Sequence, residues 1–164
     1  MPEDDVDRIV SAWRRERPEL DVTPLEILSR VSRLARRLDL ARGAAFAEHH
    51  LDGWEFDVLS ALRRAGAPYE LSPGQLVAET LVTSGTMTNR VDRLLTRGYV
   101  ERHPDRRDRR GVIVRLTPEG MKAVDAALDD LLDHERALLA ELPRADRGSL
   151  ASQLRALLVS LERP

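Results

Sequence analysis

Val6, Ile9, Val10 and Trp13 recur at intervals of three and four residues, drawing one apolar stripe along a short helix that must end before Pro18. Thr23-Pro24-Leu25-Glu26 then supplies a capping oxygen, a proline at the first helical position and an acid three residues past the cap. A long helix is therefore predicted from Thr23. Its stripe of Ile27, Val31, Leu34, Leu38 and Ala41 runs toward His50 and leaves Arg30, Arg33, Arg36 and Arg37 largely outside. After Gly53 a third amphipathic helix passes through Trp54, Val58, Leu59 and Leu62 and is stopped by Gly66-Ala67-Pro68.

Ser72-Pro73-Gly74-Gln75 repeats the capping logic and opens a helix barely two turns long, to about Thr80. Leu81-Val82-Thr83 leads straight into the next helix, Thr83 to Arg97, and two helices joined by so tight a turn predict a helix-turn-helix. Gly98 fits the left-handed position just past that helix. Tyr99 to His103 and Val112 to Leu116 are β-favouring runs around a charged loop, Pro104 to Gly111, and predict a two-stranded hairpin. Thr117-Pro118-Glu119 caps a long helix through Val124, Leu128, Leu131, Leu138 and Leu142, ending at Pro143. A last helix carries Leu150, Leu154, Leu157 and Leu161 at the spacing that suits a partner helix. The expected fold class is mainly α with a small β-hairpin wing, a winged helix-turn-helix.

Composition sharpens this picture. With 164 residues the chain suits one domain. Its 42% hydrophobic, 33% charged and 4% aromatic content fits a helical protein rich in Ala, Leu and Arg. No cysteine is present, which excludes disulfides, thiolate metal cages and thiol redox sensing. No stretch approaches a bilayer span and the N-terminus is acidic where a signal peptide is basic, so a soluble, cytoplasmic protein with no membrane partner is expected. The net charge of −2 conceals a patch: from Ser84 to Arg115 there are nine arginines against four acids. Lys122 is the chain's one lysine, so the patch consists of guanidinium forks, suited to phosphate and guanine.

On the helix from Thr83 to Arg97, Met87, Val91, Leu94 and Leu95 share one side, opposite Gly85, Thr86, Asn89, Arg93 and Thr96. A helix entering a major groove needs such a slender, hydrogen-bonding face, in which Asn addresses adenine and Arg addresses guanine or phosphate. Ser84 and Thr88 stand where the helix N-terminus favours phosphate, and Arg97, which closes the same helix, is a further expected DNA contact. Arg106, Arg107, Arg109 and Arg110 crowd the wing loop, with Asp105 and Asp108 among them, and suit a minor groove. Double-stranded DNA is the expected partner.

Leu94 to Arg102, Asp105 to Arg110 and Val114 to Gly120 make the chain resemble the multiple antibiotic resistance regulator (MarR) family over nearly its whole length. The resemblance implies a homodimer joined through terminal helices, about 1–50 and 117–164, around a DNA-binding lobe at about 52–116, within a single domain spanning 1–164. It also implies recognition helices in major grooves and wings along minor grooves of a pseudo-palindromic operator, with repression as the expected direction. The extra N-terminal helix is similar to the urate-responsive, PecS-like subgroup, whose pattern places Trp13, Asp57, Arg90 and Arg102 at the effector. A planar anion such as urate needs a stacking face, guanidinium partners and one acceptor, and these four residues offer them. Its binding is expected to rearrange an Asp57–arginine interaction, shift the recognition helix and release the operator.

Other chemistry finds little support. His49 and His50 are adjacent and so face different ways on a helix, His103 lies in the wing and His134 far along the chain, a spacing that indicates no zinc set. A tricarboxylate, an aromatic acid, or metal held through His49 and His50 are the alternative signals. No nucleophile elbow, phosphate-cradling glycine loop or paired carboxylate is recognisable, so no enzyme and no cofactor is expected.

Overall fold

A computed structural model describes residues 3–105 and 111–161. The described chain is mostly helical, with one small antiparallel sheet, and divides into two compact units at Ala44/Ala45, inside the long second helix.

The first unit holds α1 (Asp5–Glu16) and the greater part of α2 (Thr23–Glu48). Asp4 starts α1 by accepting from the Val6 and Asp7 amides at 2.7 and 3.1 Å, while the Asp7 carboxylate accepts from the Asp4 amide at 2.8 Å. Three otherwise orphan N–H groups are thereby satisfied. Val6 and Val10 bury against Val22, with Leu25 packed beside them. The expected Thr23 cap is not what forms. Thr23 is already helical, and its amide and hydroxyl both donate to Asp21, at 3.0 and 2.7 Å, so the hydroxyl is engaged as a donor and the carboxylate two residues upstream takes the amide that the motif assigns to Glu26.

Arg30 on α2 grips both acids of the α1 cap, donating to Asp4 at 2.8 Å and Asp7 at 2.6 Å. The hydrogen bonds from Arg30 hold the Asp4 carboxyl down from 3.8 to about 2. A depressed carboxyl stabilises the fold above its unfolded pKa, and that contribution is lost as pH falls through the folded value. The tie between α1 and α2 should therefore persist at pH 4 and release toward pH 2. A carbon-detected NMR titration should place the Asp4 midpoint near 2, whereas a midpoint at 3.8 would mean that no such tie forms.

The second unit begins with the last turn of α2, where Ala45 and Phe46 are buried. It continues through α3 (Gly53–Arg64), β1 (Glu70–Leu71), α4 (Pro73–Thr80), α5 (Ser84–Thr96), β2 (Val100–Pro104), β3 (Val112–Leu116), α6 (Pro118–Ala140) and α7 (Arg144–Leu161). The Phe46 and Phe56 rings stack with centroids 4.2 Å apart. Val58, Leu59, Leu62, Leu76, Met87, Val91, Leu94, Val114, Val124 and Ala127 close one core shared by α3, α4, α5, β3 and α6. Arg63 ties α3 to Asp125 of α6 at 2.9 Å.

The hairpin gains a strand that the sequence pattern does not predict. β1 pairs with β3, Glu70 opposite Arg115 and Leu71 opposite Val114, so the sheet runs β1-β3-β2 with every pairing antiparallel. Arg115 donates to Glu70 at 2.7 Å across the added pair. Two residues are too few to show a period of two, which is why β1 escapes a reading based on alternation.

Ser72 caps α4 as expected: its hydroxyl accepts from the Gln75 amide at 3.3 Å and the Gln75 side chain accepts from the Ser72 amide at 2.9 Å. Leu81 turns the chain with a left-handed φ of 54°, and Thr83 caps α5 two residues later, completing the helix-turn-helix. Gly98 (φ 73°) ends that segment in a conformation that costs glycine little. Among the described residues no helix is long and apolar enough to cross a membrane.

Candidate nucleic-acid interface

The burial of α5 sorts its residues onto two faces. Met87, Val91 and Leu94 are sealed into the core and Leu95 is partly buried, while Ser84, Gly85, Thr86, Thr88, Asn89, Arg93 and Thr96 are exposed. Thr83 and Thr86 share a hydroxyl–hydroxyl contact of 2.9 Å at the N-terminus, and the Thr88 hydroxyl donates back to the Ser84 carbonyl at 3.1 Å. A Cβ at Gly85 would meet nothing within 4 Å, so the first turn projects into open space. The result is a low polar ridge with helix N–H groups at one end, a surface that suits phosphate oxygens and base edges.

The cations of this region differ in how they are held. Arg93 lies over the Trp54 ring, 4.6 Å from its centroid, and its guanidinium reaches Asp52 at 3.4 Å. Arg90 lies over the same ring at 5.6 Å. Arg102 on β2 pairs with Asp92 of α5 at 2.7 Å, tying the first wing strand to the outer side of the helix. Arg97, expected among the DNA contacts, instead points toward the α2–α3 junction. It donates to Glu55 at 2.5 Å, to the His50 carbonyl at 2.7 Å and to the Tyr99 hydroxyl at 3.2 Å. The hydrogen bond that Arg97 donates to Glu55 raises the Arg97 pKa, reinforcing a charge that is permanent in any case.

Asp57 is exposed on α3, and its carbonyl accepts from the Ser60 hydroxyl. Trp13, on α1 of the first unit, is 47% exposed. Arg106, Arg107, Arg109 and Arg110 lie outside the described residues. His49 Nε2 donates to the Asp130 carboxylate at 2.6 Å, joining the end of α2 to α6, and no group of three metal-ligating side chains occurs among the described residues.

Sequence reasoning passed over three residues that organise this surface: Asp52, Trp54 and Glu55. All occupy the first turn of α3 or its cap, where Asp and Glu read as ordinary helix-start residues and Trp as one more apolar position. The signal available was the proximity in sequence of an acid–Gly–Trp–acid run to an expected core helix.

A helix-turn-helix with an exposed polar second helix, followed at once by a β-hairpin, defines the winged helix-turn-helix proteins that regulate transcription. The MarR family model matches residues 49–111. Over 97% of this chain and 93% of the relative, the sequence is 37% identical to the HTH-type transcriptional regulator PecS of Dickeya dadantii. The chain belongs to the MarR family of transcriptional regulators, and its relatives are regulators rather than enzymes. A crystal structure of a mutant MarR from Escherichia coli complexed with operator DNA superposes with a TM-score of 0.70 at 26% identity, covering 85% of this chain and 99% of that one. Bordetella bronchiseptica BpsR, whose DNA binding is regulated by 6-hydroxynicotinic acid, matches with a TM-score of 0.62 at 28% identity over 77% of this chain and 91% of that one.

Proposed function

We propose that this chain is a homodimeric, ligand-responsive repressor that binds a pseudo-palindromic operator and is released by a planar organic anion such as urate. The observation that carries the DNA-binding part is the division of α5, with Met87, Val91 and Leu94 sealed inside and Ser84, Thr86, Thr88, Asn89 and Arg93 outside. Ser84 and Thr88 serve phosphates, Asn89 and Arg93 serve base edges, and Arg106, Arg107, Arg109 and Arg110 follow the minor groove. Association through the terminal helices is supported by α7, which has no buried residue and exposes Leu150, Leu154, Leu157 and Leu161. A stripe of that kind costs free energy in water unless another apolar face covers it.

For the effector, Arg102 supplies the most direct route to release. An anion that draws this guanidinium away from Asp92 breaks the tie between the wing and α5, and Arg90 on the flank of α5 adds a second positive charge. Asp57 offers an acceptor for the ring N–H groups of the ligand. The regulation of BpsR by 6-hydroxynicotinic acid favours a planar aromatic acid as the second candidate. Trp13 is assigned a stacking role on the sequence pattern, and Trp13→Phe tests it separately.

The test is selection of a preferred duplex from a random pool, followed by fluorescence anisotropy. Asn89→Ala should weaken the selected duplex about tenfold or more while sparing mixed sequence. Arg107→Ala should flatten the salt dependence by about one unit of slope. Urate should loosen the complex, and Arg102→Ala should abolish that response. Failure to select any duplex would remove the DNA-binding reading, whereas a duplex indifferent to both urate and 6-hydroxynicotinate would remove only the effector assignment.

A further inference from the structure

We infer that Trp54 is a positioning residue for DNA reading: its indole holds Arg93 in the orientation in which the guanidinium meets the operator. The inference rests on the reading of α5 as the recognition helix and deepens it.

Trp54 stands at the second position of α3, half-buried, packed against the shared core on one side. Its other surface faces α5. Arg90 and Arg93 are three residues apart and so share one side of that helix, and their guanidiniums lie over the single indole at 5.6 and 4.6 Å from its centroid. Two like charges so close repel each other, and the negative face of the ring offsets that repulsion. The indole N–H donates to Asp52 Oδ2 at 3.1 Å, and Arg93 Nη2 reaches the same oxygen at 3.4 Å. Ring, carboxylate and guanidinium thus fix one another.

An exposed ion pair by itself holds a long side chain poorly. A guanidinium held over a ring that packs against the core, and held also by a carboxylate, is restrained by two partners at once, while the Arg93 side chain remains 64% exposed. Arginine otherwise loses much rotamer freedom when it forms a fork on a base, so restraint before binding lowers that loss. The benefit falls on contacts that need a defined orientation, which are base contacts. Phosphate contacts, being tolerant of geometry, gain little.

A double-mutant cycle on the selected duplex tests this, with Trp54→Leu, Arg93→Ala and the double variant, and thermal melting of each. Trp54→Leu should weaken the selected duplex about tenfold, with affinity for mixed sequence and the salt slope unchanged. In the Arg93→Ala background the same change should cost less than about twofold, because the residue it acts through is gone. Trp54→Phe, which keeps a ring in the core and loses the N–H, should cost about threefold with the same dependence on Arg93, and it carries the cycle if the leucine variant does not fold. Equal losses in both backgrounds, equal losses on selected and mixed duplexes, or no loss would each overturn the role. If the unmodified protein selects no duplex, the recognition-helix reading itself falls and this inference falls with it.

Discussion

Gly120→Ala should lower the melting temperature by roughly 6–12 °C, the shift that about 3 kcal/mol produces in a chain of this size. A Cβ at this position would lie 2.1 Å from the Tyr99 carbonyl oxygen, 3.0 Å from its carbon and 2.9 Å from Leu116 Cδ1. The first two neighbours are backbone, and that backbone is not free to move. The Tyr99 carbonyl accepts from the Thr117 amide at 3.1 Å, and the Tyr99 amide donates to the Leu94 carbonyl at 3.0 Å. Thr117 caps α6 by accepting from the Gly120 amide at 3.0 Å while its hydroxyl donates to the Gly98 carbonyl at 2.8 Å. The end of α5, the start of β2, the end of β3 and the start of α6 therefore meet at one crossing, and a methyl group inserted there separates them. Circular dichroism melting gives the measurement, with Gly85→Ala as the control, since a Cβ there meets nothing within 4 Å. A Gly120→Ala melting point within about 2 °C of the unmodified protein would show that the crossing yields more readily than the geometry implies.

The same crossing shows which parts of the fold the sequence discloses. Thr117-Pro118-Glu119 announces the start of α6 because capping is local chemistry, decided by residues within one turn of each other. The Ser72–Gln75 cap and the two faces of α5 are legible for the same reason, one from a four-residue motif and the other from a period of 3.6. Gly120, by contrast, reads as an unremarkable helix residue. Its requirement comes from Tyr99, more than twenty positions earlier, and no local pattern carries that distance. β1 is hidden by its length. Thr23 misleads because a nearby acid, Asp21, competes successfully for the amide that the motif would assign elsewhere.

The candidate site divides along the same line. The exposed ridge of Ser84, Thr86, Thr88, Asn89 and Arg93 follows from helical phase alone. What the arginines touch does not: Arg93 and Arg90 on Trp54, Arg102 on Asp92 and Arg97 on Glu55 are contacts between elements. A list of guanidiniums from sequence treats them as equivalent, whereas tertiary partners separate those facing outward from one that ties the lobe together.

Arg97 is that one, and Arg97→Ala should destabilise the second unit by about 3 kcal/mol, a fall in melting temperature of roughly 6–12 °C. Glu55 is 1% exposed. Its Oε2 accepts from the Asp52 amide at 2.9 Å and from Arg97, and its Oε1 is buried with no hydrogen-bond partner among the described residues. A carboxylate so enclosed depends on its cation, because removing one member of a buried pair leaves the other's desolvation uncompensated. Arg97→Lys should recover only part of the loss, since a single ammonium cannot reach Glu55, the His50 carbonyl and the Tyr99 hydroxyl in the planar arrangement the fork provides. Glu55→Gln separates charge from packing: it removes the buried charge and keeps an acceptor for the Asp52 amide, so Arg97→Ala should cost much less in that background. Equal costs of Arg97→Ala beside Glu55 and beside glutamine, measured by urea denaturation, would show that the guanidinium acts by packing over Tyr99, 4.6 Å from its ring centroid, and that the buried carboxylate does not depend on it.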